Sequence, residues 1–526
     1  MKKSIVILFV LLATLGTGAR KKPKSIVVLY ENDVHCAIDG YSALVGLRTQ
    51  VADTANVAVV SCGDFLQGGT PGAISRGEYI TAIMQTVGYD AITLGNHEFD
   101  YKVPRMTELI EKADIPVTCT NFFEQDTPKP YYAPYIIKKL GRKKVAFIGT
   151  VTPTALNLEQ YAFFDKKGTQ LYDLRPNQVY QLVQDAVNAA RKKGAKYCIV
   201  LSHLGEDDND MHIDSHGLVA ATTGIDAVLD GHSHNVIPCQ MVANRNGKMI
   251  PVSQTGTKFG YIGHLLIDKR GRVSTRLIPT RDQNTKTIGS ELLAKKSEAL
   301  RRTQETTDSI IRLVNEQTAR VACHSDFPIT ILDPVKGQVV RCSETNAGDL
   351  VCDAFRAVSG AQIAINNGGG IRAQLSAGDL TYGDIVSLLP FDNYLETVEV
   401  TGQDLLNTLE ACCQMLPDKD GQFVQVSGIR YTVDTGKTPR VQSVEILNEN
   451  GDSVQYEQLC PDRKYILCTT DYCIDGGGMY GKLKKCRKLK EGIARYSDAL
   501  LQYVTEDLKG KIPEAYRKPQ GRIVIK

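Results

Sequence analysis

The sequence predicts an α/β (α+β) protein of two or more domains, and three observations carry that expectation. At 526 residues the chain is longer than one ordinary core accommodates. From residue 24 to about 281, short β-branched runs alternate with segments of helical spacing, as in a layered α/β domain. Five of the apolar runs end on motifs rich in metal-ligating side chains: Asp33-Val34-His35, Gly63-Asp64, Gly95-Asn96-His97-Glu98, Ser202-His203 and Gly231-His232-Ser233-His234. Open α/β sheets collect ligands beyond the carboxyl ends of their strands, so five such ends imply one site.

Residues 24–30, 57–62, 91–94, 197–201 and 227–229 read as the strands that deliver these motifs, with further strands at 145–151 and 262–267. Residues 103–113 and 177–193 have helical spacing, and the second ends in Lys-Lys-Gly, a helix stop signal. Residues 289–318 are polar and helix-prone with sparse apolar positions, the texture of a connecting helix rather than a core. The expected organisation is therefore a first domain over 24–288, a linker helix over 289–319 and a second domain over 320–526. In the second domain Thr401 and Asp404 have capping-box spacing ahead of a helix at 405–413. No internal repeat or low-complexity tract is present.

Composition is that of a globular chain, 42% hydrophobic and 23% charged, and a formal charge of +3 makes no case for a nucleic-acid surface. The basic run of Lys482, Lys484, Lys485, Arg487, Lys488 and Lys490 reads as a solvated face. Lys2 and Lys3 precede an apolar run from Ile5 to Gly16 and the small residues Thr17-Gly18-Ala19, the form of a signal peptide over 1–19. That run is too short to span a bilayer. The expectation is an exported protein, periplasmic or secreted, without stable membrane insertion. Of the fourteen Cys, those in or beside apolar runs read as buried thiols, while pairing among Cys323, Cys342, Cys460, Cys473 and Cys486 stays open.

Asp33 and His35 stand one residue apart, so an extended segment turns both to one side. His232 and His234 repeat that spacing. Asp64 follows a glycine at a strand end, where a carboxylate can bridge two cations. Asn96 offers a carbonyl oxygen, and His203 an imidazole. Imidazole and carboxylate without thiolate suit Zn, Mn, Fe or a similar divalent metal. A single His beside a strand is ordinarily structural, but five of the nine His fall in these motifs. Two cations sharing Asp64 would lower the pKa of a water between them.

Asp-x-His, Gly-Asp, Gly-Asn-His-Glu, His and Gly-His-x-His, in this order, resemble the calcineurin-like metallophosphoesterases. The longer string Gly95-Asn96-His97-Glu98-Phe99-Asp100 is similar to the 5′-nucleotidase branch. The resemblance implies a four-layer β-sandwich flanked by helices, a linking helix and a smaller α/β substrate-binding domain. It implies one metal on Asp33, His35, Asp64 and His234 and a second on Asp64, Asn96, His203 and His232. His97 would stabilise charge on the phosphoryl group or leaving oxygen, with Asp100 orienting its imidazole.

In the second half, Asn366-Asn367-Gly368-Gly369-Gly370-Ile371-Arg372 is either a glycine turn with a surface Arg or a loop approaching an anionic ligand. With Leu389-Pro390-Phe391-Asp392-Asn393 and Val426-Ser427-Gly428-Ile429-Arg430 it resembles the 5′-nucleotidase C-terminal domain. That likeness implies Arg341 and Arg372 as anion contacts, Asn367 near a base, and Phe391 and Tyr472 as aromatics that sandwich a nucleobase. One departure stands out. Where family members often read Gly-Gly-Asp-Gly, with an Asp on the ribose hydroxyls, this chain has Asp475-Gly476-Gly477-Gly478-Met479, which leaves ribose recognition without its usual carboxylate.

The implied function is phosphate removal from nucleoside 5′-monophosphates, a small-molecule substrate, at two divalent metal ions. A domain rotation about residues 289–318 would carry the substrate to the metals. Near alternatives are a 2′,3′-cyclic phosphodiesterase with 3′-nucleotidase activity, a nucleoside-diphosphate-sugar hydrolase or a sulfate-ester-like hydrolase. A nucleotide-binding surface protein without chemistry is the alternative from another class.

Overall fold

The computed structural model describes residues 24–165, 167–206, 211–280, 297–333, 335, 337–450 and 453–526. The expected signal peptide and residues 281–296 lie outside the described residues. Among the described residues no helix is long and apolar enough to cross a membrane.

The first half is built on two sheets. One has five strands in the order Val273–Pro279, Tyr261–Ile267, Ser25–Glu31, Ala55–Ser61, Ala91–Ile92. The other has six, in the order Val236–Ala243, Met249–Thr255, Ala227–Leu229, Tyr197–His203, Lys143–Val151, Tyr135–Leu140. Strand alternation decides how these sheets pack. Val28, Tyr30, Ala58 and Val60 of the first sheet meet Val145, Phe147, Ile199 and Leu201 of the second in one buried cluster. Their alternates Val27, Leu29 and Val59 face Ile80, Ile83 and Met84 of the helix Glu78–Val87. On the other side Ala146, Ile148, Cys198 and Val200 face Val183, Ala186 and Val187 of the helix Val179–Lys192. The result is four layers, helix–sheet–sheet–helix.

Parallel pairing aligns the motif-bearing strand ends. Glu31 pairs with Ser61, Ser61 with Ile92, and Leu201 with both Gly149 and Leu229. Chain ends in register on one rim bring their following loops together.

The helix Glu298–Thr318 is capped by Ser297, whose side chain accepts from Leu300 N. It is a single helix and it contributes to a core, contrary to the sparse-apolar reading. Leu300, Ile310 and Val314 recur at helical spacing and pack into the first-half cluster.

In the second half a mixed five-stranded sheet runs Val424–Ser427, Ile363–Asn367, Lys464–Thr470, Leu395–Thr401, Arg487–Lys490. The helix Asn346–Ser359 packs Leu350, Ala354 and Phe355 against Ala364, Leu395 and Cys468 on one face. The helix Gly402–Cys412 packs Leu405 and Leu409 against Ile363, Ile365 and Leu467 on the other. That second helix begins three residues earlier than expected, directly after its cap, with Thr401 Oγ1 accepting from Asp404 N at 3.1 Å. None of the fourteen Cys forms a disulfide, including the five whose pairing the sequence left open. In the basic run, Lys488 and Arg487 pair with Glu396 and Glu399, and most of the remaining cations face solvent.

Candidate metal centre

The five motifs converge. Side-chain donor atoms of Asp33, His35, Asp64 and His234 all lie within 4.8 Å of one another. His35 Nε2 and His234 Nε2 are 3.0 Å apart, and His234 Nε2 is 3.2 Å from Asp33 Oδ1. Beside them, His203 Nε2 is 3.1 Å from Asp64 Oδ2, and His232 Nδ1 faces Asn96 Oδ1 at 3.0 Å. Asp64 stands between the two groups, 3.8 Å from His35 Nε2.

Backbone conformation turns these side chains inward. Asp33, His35, Asp64, His232 and His234 all have φ between 45° and 77°. The left-handed region costs a non-glycine residue about 1–3 kcal/mol, and such outliers cluster at functional sites. Space is as tight as conformation: a Cβ on Gly95 would lie 2.2 Å from Asp64 Oδ1, and one on Gly231 2.7 Å from His203 Nδ1.

The donor set fits divalent metal. His35 Nδ1 faces Gln67 O at 2.9 Å, and His203 Nδ1 faces Cys62 O at 2.6 Å. A carbonyl demands an N–H, so each Nε2 of the neutral ring presents a lone pair toward carboxylates, an arrangement a cation satisfies. His203 Nε2 is buried and makes no hydrogen bond. Burial disfavours charge on His203, but Asp64 and Asp33 outweigh it and push the imidazole up to about 10. The field that holds a proton there would equally hold a metal ion. Burial and His203 bring His232 down to about 4, and burial puts His35 well below its ordinary value, so both rings offer lone pairs at neutral pH.

His97 and Asp100 stand at the edge of this centre, joined by a 2.8 Å hydrogen bond between Nδ1 and Oδ2. Burial opposes a charge on His97, yet Asp100 and Asp64 raise its pKa. His97 N also donates to Asp64 Oδ1 at 2.9 Å.

Glu98 lies inside the Gly-Asn-His-Glu motif, yet its spacing alone signals no role. The side chain is fully buried. One oxygen accepts from Asp64 N at 2.7 Å and Gly95 N at 2.6 Å, the other from Phe65 N and Leu66 N at 2.8 and 3.1 Å. Four N–H donors on one carboxylate tie the Asp64 loop to the Asn96 loop. Glu159 carried no signal at all. It accepts from Asn96 Nδ2 at 3.1 Å and so leaves Asn96 Oδ1 facing His232.

The second half completes the site. A cavity of about 580 Å³ is lined by Asp64, Asn96, His97, Asp100, His232 and His234 together with Arg341, Asn367, Arg372, Phe391 and Tyr472. All five expected substrate residues therefore line one cavity. Phe391 stacks on His97 with centroids 5.8 Å apart, and the Arg372 guanidinium lies 5.6 Å over the same ring. Arg341 Nε is buried without a partner. Asp475 points elsewhere, pairing with Lys488 at 3.0 Å.

Residues 26–236 match the calcineurin-like phosphoesterase family, and residues 325–485 match the 5′-nucleotidase C-terminal domain. The chain thus joins a calcineurin-like phosphoesterase region to a 5′-nucleotidase C-terminal region.

It is 25% identical to the 5′-nucleotidase of Bos taurus over 90% of this chain and 86% of that one. It is 26% identical to the trifunctional nucleotide phosphoesterase protein YfkN of Bacillus subtilis, covering 95% of this chain but 35% of the relative. The chain thus spans about a third of the length of the Bacillus subtilis relatives it matches. Among solved structures, a 5′-nucleotidase precursor from Thermus thermophilus superposes with a TM-score of 0.76 at 23% identity, covering 95% of this chain and 99% of that one. A sulfate thiohydrolase, SoxB, shares the fold at a TM-score of 0.68 and 17% identity, covering 95% of this chain and 97% of that one. Fold alone therefore leaves the ester open.

Proposed function

We propose that this protein is a two-metal hydrolase that removes phosphate from nucleoside 5′-monophosphates and accepts related nucleotides. The observation that carries this reading is the shared cavity, in which metal-ligating side chains face two arginines and two aromatic rings. Asp33, His35, Asp64 and His234 would hold one divalent ion, and Asp64, Asn96, His203 and His232 the other. When bound, the pair supplies a hydroxide nucleophile at neutral pH and neutralises phosphoryl charge.

The chain's own residues do the rest. Arg372 and Arg341 bring fixed positive charge to the phosphate. Asp100 holds a proton on His97 Nδ1, which leaves Nε2 to donate toward a phosphoryl or leaving oxygen. Phe391 and Tyr472 offer flat apolar surface, and stacking a base on such a ring is worth about 1–3 kcal/mol.

The test is phosphate release from AMP by metal-loaded protein, with Mn or Zn and after chelation. No release from AMP with either metal, while 4-nitrophenyl phosphate is cleaved, would sink the nucleotide assignment. The Bacillus subtilis relative named a trifunctional nucleotide phosphoesterase favours a second reading, action on more than one kind of nucleotide phosphoester, and the same assay with a nucleotide panel separates the two. Export rests on Lys2, Lys3 and the apolar run after them. Intact mass of the secreted product tests it, and a retained Met1–Ala19 segment there counts against cleavage.

A further inference from the structure

One polar side chain in the cavity is used by none of the phosphate chemistry. Gln422 is only 8% exposed and lines the cavity beside Tyr472. Its Nε2 donates to Tyr472 Oη at 3.3 Å, while its Oε1 is buried without a partner. A buried acceptor left unmade is costly, which a folded chain tolerates where a ligand supplies the donor.

The main chain that carries this amide is held in place. Gln422 N donates to Asp420 Oδ1 at 3.0 Å, and Gln422 O accepts from Tyr480 Oη at 2.8 Å. Bare backbone presses on the side chain. A Cβ on Gly478 would lie 2.1 Å from Gln422 Oε1, and one on Gly477 would lie 2.5 Å from the Tyr472 ring. Gly478 moreover has φ +57°, a conformation that disfavours other residues. The glycine run is thus a flat support for an aromatic ring and an amide, and a side chain on it would displace one of them. The wall's charges complement a phosphate at Arg341 and Arg372, whereas Gln422 is neutral and complements an uncharged donor.

We propose that Gln422 is a specificity-determining residue whose Oε1 accepts a hydrogen bond from an N–H or O–H of the nucleoside portion lying against Tyr472. This rests on the nucleotide reading above. A site built to accept a donor rejects ligands that lack one, because its acceptor is then left buried and unpaired.

The test is steady-state kinetics of the metal-loaded full chain on AMP, on 2′,3′-dideoxyadenosine 5′-monophosphate and on 4-nitrophenyl phosphate. Gln422→Ala should lower kcat/KM for AMP at least tenfold more than for 4-nitrophenyl phosphate, chiefly through KM. Gly478→Ala, which pushes the amide aside, should give the same selective loss. A penalty that persists on the dideoxynucleotide assigns the donor to the base, and one that vanishes assigns it to the ribose. Equal losses on AMP and 4-nitrophenyl phosphate, or no loss on AMP, would overturn the proposal. Wild-type protein inert toward AMP but active on 4-nitrophenyl phosphate overturns the nucleotide reading instead, a result visible before any variant is made.

Discussion

His203 shows how one buried residue sets the chemistry of this centre. Without metal, Asp64 and Asp33 hold its imidazole protonated up to about 10. Metal binding needs the neutral ring, so the ion that His203 would hold releases that proton when captured at neutral pH. Affinity for Zn or Mn should therefore rise about tenfold per pH unit between pH 6 and pH 8; a titration in which affinity is flat or falls would refute it. Glu98 acts one layer out. Glu98→Gln replaces an acceptor of four N–H groups by an amide whose NH₂ must face some of them. It should weaken metal binding about 10–100-fold, as loss of outer-shell partners does, read as metal content after dialysis, and full metal retention would argue against the role. His97 and Arg372 should part in kinetics. His97→Ala should lower kcat about 10²–10³-fold, and Arg372→Ala should raise KM about tenfold or more. Unchanged turnover in His97→Ala would remove it from the chemistry.

Elements were legible where period and burial agree. The strand Ser25–Glu31 and the helix Lys102–Lys112 fall within a residue of the ranges read from pattern. Ala91–Ile92 is shorter than expected, because only Val60 and Ser61 lie opposite it in the ladder. Local pattern carries no information about where a partner strand stops. The helix Glu298–Thr318 hid its packing for a related reason. Its apolar residues are few, yet the fold turns all of Leu300, Ile310 and Val314 to one core. Leu300 is fully buried, so Leu300→Ala should cost about 2–5 kcal/mol. Calorimetry should show a lowered Tm, and an unshifted one would mean that the helix does not support the first-half core.

At the scale of the molecule, the two halves meet around the site. Gln67 Nε2 donates to Pro390 O at 2.7 Å, Thr70 Oγ1 and Ser387 Oγ stand 2.6 Å apart, and Arg76 pairs with Asp392 at 3.3 Å. These three contacts are polar, as surfaces between domains of one chain commonly are. The Arg76 side chain is 55% exposed, so its pair is worth about 1 kcal/mol or less. Arg76→Ala should accordingly change KM for AMP by less than about fivefold, with the difference shrinking as salt is raised. A change above about tenfold that resists salt would mean that the pair does more than hold a surface contact.

The sequence by itself determined the layered class and the metal-ligand types. Strand alternation, and ligands placed directly after apolar runs, are local features that any one segment displays. It also pointed to Arg372, Phe391 and Tyr472, through motif likeness rather than pattern. Tertiary structure alone decided that Glu98 fastens two ligand loops, that Glu159 faces Asn96, and that Gly478 lies under Gln422. Those relations join residues 34, 63 and 56 positions apart. A hydrogen bond or a missing Cβ acquires meaning only when chain packing supplies the other partner, and no spacing along the chain records that.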